Sequence, residues 1–128
     1  PKKLILMSGW FDVTGDNPAL QLNVDSDVML LYKNLKISGK WYSGDENPLN
    51  PLISPIYGDV SILPPTLIQI GTADMLLWDN RKIYLQMLDA KIEVQYEEYE
   101  NTFHDFMIVG FLKEAKKARK AQLEFLKG

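Results

Sequence analysis

The sequence predicts an α/β fold: a three-stranded parallel sheet with flanking helices. Three observations carry the expectation. Strand-like runs recur at residues 4–7, 66–71 and 92–99. Helical stretches follow the second and third of them. Strand and helix in alternation mark a parallel sheet with right-handed crossovers. Finally, Asp74 and His104 follow the second and third runs, about 30 residues apart, the size of one βαβ unit. In such a unit both residues emerge at the same edge of the sheet.

Leu4-Ile5-Leu6-Met7 is continuously apolar, as suits a strand buried on both faces. Ser8-Gly9-Trp10-Phe11-Asp12 ends it, and residues 12–24, with Gly15, Asn17 and Pro18, read as loop. Asp25 and Ser26 are N-cap types, and Val28, Leu31, Tyr32 and Leu35 share one helical face, so a helix is expected to about Leu35. Eight Gly and Pro residues then punctuate 38–65, which reads as irregular. Residues 12–62 as a whole form an excursion between the first two strands, expected to wall a site.

Pro64-Pro65 launches the second strand, 66–71. A helix is expected from Leu77 to Leu88, with Ile83, Met87 and Leu88 apolar on one side. The third strand, from Ile92 to Tyr99, alternates only partly, which suits an edge position. A polar loop at 100–105 holds His104, and a last helix covers about Phe111 to Leu126. In that helix Leu112, Ala115, Leu123 and Leu126 are expected to face inward. Lys113, Lys116, Lys117, Arg119 and Lys120 then form a solvated face.

The 128 residues make one domain or less. A net charge of -3 gives no electrostatic reason to expect nucleic acid as a partner. The absence of cysteine excludes disulfides and thiolate metal sites, and fits a cytoplasmic location. No apolar run approaches the roughly 20 residues of a transmembrane helix. The chain opens on Pro1 and enters a strand almost at once, so a preceding segment is expected.

Four segments resemble the hormone-sensitive-lipase-like esterases, in the family's order. Ser8-Gly9-Trp10-Phe11-Asp12-Val13-Thr14 is similar to their Ser-Pro-Trp-x-Asp-x-Thr stretch. Ile53-Ser54-Pro55-Ile56-Tyr57 is similar to their Ile-Ser-Pro-Leu-Tyr segment. Leu63 through Asp74 resembles the strand that delivers the triad acid, and Tyr99 through Phe106 the loop that delivers the histidine. Gly9 departs from the family's proline. The resemblance makes the chain the C-terminal part of a single α/β-hydrolase domain, its strands equivalent to the last three of that sheet. It implies that Asp74 and His104 are the triad acid and base, with no cofactor. The substrate would be a small, relatively apolar ester, and homodimers would pair through the last strand. The family's Gly-x-Ser-x-Gly elbow, where the nucleophile sits, occurs nowhere in these residues. The nucleophile is therefore expected from a missing N-terminal segment, and the chain alone is expected to be inactive.

Other readings attach to the same residues. Asp74 precedes a helix and could be its N-cap; Asp79, inside the helix, is a rival acid; Asp105 is a solvated neighbour of His104 or a loop hydrogen-bonder. Trp10, at the active edge, could line a substrate pocket, whereas Trp41 and Tyr42 are expected to pack the long loop onto the sheet. Ser8, Ser54 and Ser61 are not flanked as an elbow serine is. Two alternatives to an esterase stand beside it: a non-catalytic, truncated hydrolase-like interaction module, and a peptidase-type α/β-hydrolase.

Overall fold

A computed structural model describes all residues from Pro1 to Gly128. The sheet has three parallel strands in the order β1 (Leu4–Met7), β2 (Thr66–Gly71) and β3 (Val94–Tyr99). Leu4 pairs with Thr66 in one register, and Thr66 with Val94 in the other. Every residue of the central β2 is buried, including the polar Gln69 in its otherwise apolar middle. β3 is an edge strand in this sheet and buries only Tyr99 fully, which accounts for its partial alternation.

Helix α2 (Leu77–Asp89) covers one face of the sheet. There Ile68 packs with Ile83, Met87, Phe11, Ile56 and Val60, and Tyr84 stacks on Tyr96 at 4.5 Å between ring centroids. Helix α3 (Lys113–Lys127) covers the other face. Its anchor is a polar one that the sequence reading missed. Gln69 is fully buried in the middle of β2. Its Nε2 donates to the Glu97 carboxylate at 2.8 Å and to the Ala118 carbonyl of α3 at 3.0 Å. Its Oε1 accepts from Gln122 at 2.8 Å. A buried amide left without these partners would be costly, so the network fixes α3 in one position on the sheet.

The excursion departs from the expected pattern. Residues 25–31 are not helical. A 3-10 turn spans Pro18–Asn23, and helix α1 runs over Tyr32–Ser43, overlapping the end of the expected helix and continuing into the stretch read as irregular. Val28 and Leu31 are exposed, and the buried face of α1 is Leu35, Gly39 and Ser43. Gly39 is there because a Cβ would lie 1.9 Å from the Val13 carbonyl oxygen. An apolar periodicity cannot report a face built from glycine and serine. Trp41 and Tyr42 do not pack onto the sheet; they are 79% and 64% exposed. Leu88, Leu123 and Leu126 are also exposed rather than inward. β3 starts at Val94, two residues later than expected, because Lys91 takes a left-handed conformation in the turn after α2. α3 starts at Lys113, after a 3-10 turn over Phe106–Ile108. Lys113 is solvated as expected, but Arg119 folds back and donates to the carbonyls of Met107 and Gly110. No helix is long and apolar enough to cross a membrane.

At the carboxyl edge, the loops after β2 and β3 are joined. Thr72 N–H donates to the Tyr99 carbonyl at 2.9 Å, Ala73 N–H to the Thr102 carbonyl at 3.0 Å, and Asn101 N–H to the Thr72 hydroxyl at 2.8 Å. The approach requires Gly71, where a Cβ would sit 2.0 Å from the Thr102 oxygen. We predict that Gly71→Ala lowers stability by about 3 kcal/mol, through forced separation of the loops. Gly110→Ala, which meets nothing within 4 Å, should stay within about 0.5 kcal/mol of the parent. Urea midpoints measure both, and equal midpoints would show that the loops need no such contact.

Candidate active site

Asp74 and His104 meet at this edge. Asp74 is completely buried in the turn between β2 and α2. Its Oδ1 accepts from Leu76 N–H at 2.8 Å and braces the turn before the helix; the N-cap of α2 is Leu76, with no side-chain cap, so Asp74 is not the cap. The same carboxylate faces His104, whose Nδ1 lies 3.2 Å from Oδ2 and 3.4 Å from Oδ1. One carboxylate thus contacts both the turn and the imidazole.

The His104 loop is shaped by two left-handed residues, Asn101 and Asp105, with φ of 55° each. Asn and Asp tolerate that region better than other side chains. Asp105 N–H donates to the hydroxyl of buried Ser8 at 3.1 Å. Ser8 itself is left-handed, with φ of 44° at the end of β1. Its hydroxyl is therefore a post for the histidine loop. Ser54 is also committed, accepting from Val13 N–H at 3.0 Å in the interior. Ser61 lies exposed in a 3-10 turn.

Burial opposes a charge on His104. The hydrogen bond with Asp74 and the charges of Asp74, Asp105 and Asp27 outweigh that, and its pKa is raised above the ordinary imidazole value. Asp105 lies near the other ring nitrogen, with Oδ2 3.5 Å from Nε2, and its side chain is 43% exposed.

Asp79 is buried too, but elsewhere. Its Oδ1 accepts from Asn17 at 2.7 Å, and its Oδ2 has no partner. Burial raises its pKa, with the nearby Asp12 adding to the effect. Trp10 lies at the mouth of the site. With Met29, Leu30, Leu31, Leu76 and His104 it lines a cavity of about 180 Å³. Trp41 and Tyr42 do not line this cavity.

A family model described as the alpha/beta hydrolase fold matches residues 1–108. The chain belongs to the α/β-hydrolase family. It is 33% identical over 127 residues to an esterase of Acinetobacter venetianus, covering 98% of this chain and 42% of the relative. It is 30% identical over 104 residues to an acetyl-hydrolase of Streptomyces hygroscopicus, covering 81% and 35%. A crystal structure of the hormone-sensitive-lipase homologue EstE7, from a metagenome library, superposes with a TM-score of 0.94 at 28% identity. It covers 99% of this chain and 44% of that one. An esterase of the bacterial hormone-sensitive lipase family superposes at 0.87, also at 28% identity, over 92% and 40%. The expected resemblance to hormone-sensitive-lipase-like esterases is borne out, and the α/β-hydrolase chain spans about two-fifths of its relatives' length.

The raised pKa of His104 has a consequence for stability. Between the unfolded imidazole value, about 6.5, and the higher native value, the folded state binds more protons than the unfolded state. The contribution is full below about pH 6.5 and is lost as pH rises through the native pKa. His104→Gln should flatten this part of the stability profile. Denaturation midpoints from about pH 5 to 9 check it; parallel profiles for the two proteins would show that His104 gains nothing from Asp74.

Proposed function

We propose that this chain supplies the acid and base of a serine carboxylesterase, the nucleophile coming from a segment outside these 128 residues. The observation that carries the reading is the contact of 3.2 Å between His104 Nδ1 and the fully buried Asp74 carboxylate. With Nδ1–H donated to Asp74, the imidazole is held in the tautomer whose Nε2 can accept a proton. Nε2 takes the proton of the serine hydroxyl as it attacks the ester carbonyl, then gives it to the departing alcohol. Water repeats the sequence on the acyl-serine, and Asp74 stabilises the imidazolium at each stage. The oxyanion is held by backbone N–H groups of the same absent segment. No step calls for a cofactor.

The cavity beside His104 supports a small, apolar acyl group, with Trp10 as one wall. The names of the relatives, an esterase and an acetyl-hydrolase, agree with that class. Two surfaces support an additional segment. β1 has a free edge, and exposed Met7, Leu123 and Leu126 lie on the α3 side of the molecule. On the other side, exposed Leu52 and Ile62 flank an apolar groove of about 330 Å³ that includes Leu4 and Leu6. A free edge of this kind is normally covered. The free edge of β3 is where a homodimer would pair.

In the complete enzyme, Asp74→Asn and His104→Ala should each lower kcat on a short acyl ester by about 10³-fold or more. Asp79→Asn should stay within about tenfold of the parent, since its carboxylate serves no proton transfer. A fluorophosphonate probe should label a serine outside residues 1–128. Labelling of Ser8, Ser54 or Ser61, or full activity of Asp74→Asn, would sink the proposal. Preference for peptide amides over esters would turn it toward a peptidase.

A further inference from the structure

The peptide unit that follows Asp74 is gripped at both ends by one segment of the excursion. Asn23 is buried at the end of the Pro18–Asn23 turn. Its Nδ2 donates to the Asp74 carbonyl at 3.0 Å and to the Thr72 carbonyl at 2.8 Å. Its Oδ1 accepts from Trp78 Nε1 at 3.3 Å, which fixes the orientation of the amide. Four residues on, Asp27 is 7% exposed and its Oδ2 accepts from Met75 N–H at 2.8 Å. The Asp74 carbonyl and the Met75 N–H belong to the same planar peptide. Holding both ends fixes that plane, and with it the backbone torsion that aims the Asp74 side chain.

The second oxygen of Asp27 does something different. Oδ1 accepts from Met29 N–H at 2.9 Å and from Leu30 N–H at 3.2 Å. Met29 and Leu30 line the cavity that His104 closes. One carboxylate therefore bridges the acid-bearing turn and the pocket wall. It does so without a cationic partner: its hydrogen bonds all come from backbone N–H groups.

We infer that Asn23 and Asp27 are positioning residues. They hold the 74–75 peptide in the plane that presents Asp74 to His104, and through Asp27 they tie the acid to the pocket wall. The inference rests on Asp74 and His104 acting as the acid–base pair proposed above. A carboxylate displaced by even about 1 Å loses much of its effect on a partner imidazole. Three acidic groups bear on His104: Asp74 from the turn after β2, Asp105 from its own loop and Asp27 from the excursion. Removing the charge at Asp27 while loosening Asp74 acts on the imidazole in one direction, toward a weaker base.

The test is NMR on histidine-labelled protein, with the His104 resonance assigned as the one that His104→Gln removes. Asp27→Asn should lower the His104 pKa. It should also speed exchange of the Met75, Met29 and Leu30 amides by about tenfold. Ile83→Val, a core truncation remote from the clamp, should lower the melting temperature but leave the His104 titration in place. An unshifted His104 titration in Asp27→Asn overturns the inference, as does an equal shift in Ile83→Val. Asp74→Asn separates the two layers. If it lowers the His104 pKa and Asp27→Asn does not, only the clamp falls; if neither does, the pairing of Asp74 with His104 falls as well. Should Asp27→Asn fail to fold, the parent protein decides. Native-state exchange should then open the Met75, Met29 and Leu30 amides together, and independent opening of Met75 overturns the bridge.

Discussion

The site depends on one close approach, that of the Thr102 carbonyl to the bare α-carbon of Gly71. β2 and β3 pair in parallel, so their following loops leave the same edge. Parallel pairing alone would leave those loops side by side. The absent side chain at Gly71 lets them touch, and the hydrogen bonds at Thr72, Ala73 and Asn101 then join them into one unit. Asp74 and His104 ride on that unit. Their 3.2 Å contact is thus a consequence of backbone pairing more than of any attraction between the side chains. An imidazole and a carboxylate on unconnected loops would have to overcome side-chain and loop entropy to meet.

The other supports act on the two ends of the same unit. Gln69 and its partners hold α3 on the sheet, which fixes where the chain leaves the His104 loop. Ser8 holds the residue just after His104 from the end of β1. The left-handed backbone of Ser8 costs about 1 kcal/mol. The hydrogen bond it places at Asp105 is of similar size, so that post is close to energetically neutral. Its value lies in geometry.

Much of this was legible in the sequence where local pattern and tertiary position agree. β2 is a fully buried strand and reads as one; its bounds, and the start of α2 at Leu77, are as expected. Asp74 and His104 could be found because each follows a strand at a fixed place in the βαβ unit. The excursion was misread because its burial does not follow apolarity. Val28 and Leu31 face outward while Asp27, Asn23, Gly39 and Ser43 are buried. Their reasons are backbone groups elsewhere: the 74–75 peptide for the first two, the Val13 carbonyl for Gly39. Such pairings join residues from 26 to 51 positions apart, and no periodicity encodes them. Leu123 and Leu126 were read as inward on the same principle; on this chain they are exposed. Gln69 was invisible for the opposite reason, a polar residue in a run otherwise apolar.

Asp74 and Asp79 show why burial by itself does not tell two carboxylates apart. Both carboxylates are almost wholly removed from solvent, five residues apart. Around Asp79 the environment is poor: one donor from Asn17, an oxygen with no partner, and Asp12 near enough to oppose its charge. Such a group favours its neutral form and has no imidazole to orient. Around Asp74 both oxygens have a partner. Leu76 N–H fixes one oxygen, and the other is left for His104. Of the two buried acids only Asp74 has an imidazole within reach, with His104 Nδ1 3.2 Å from its Oδ2.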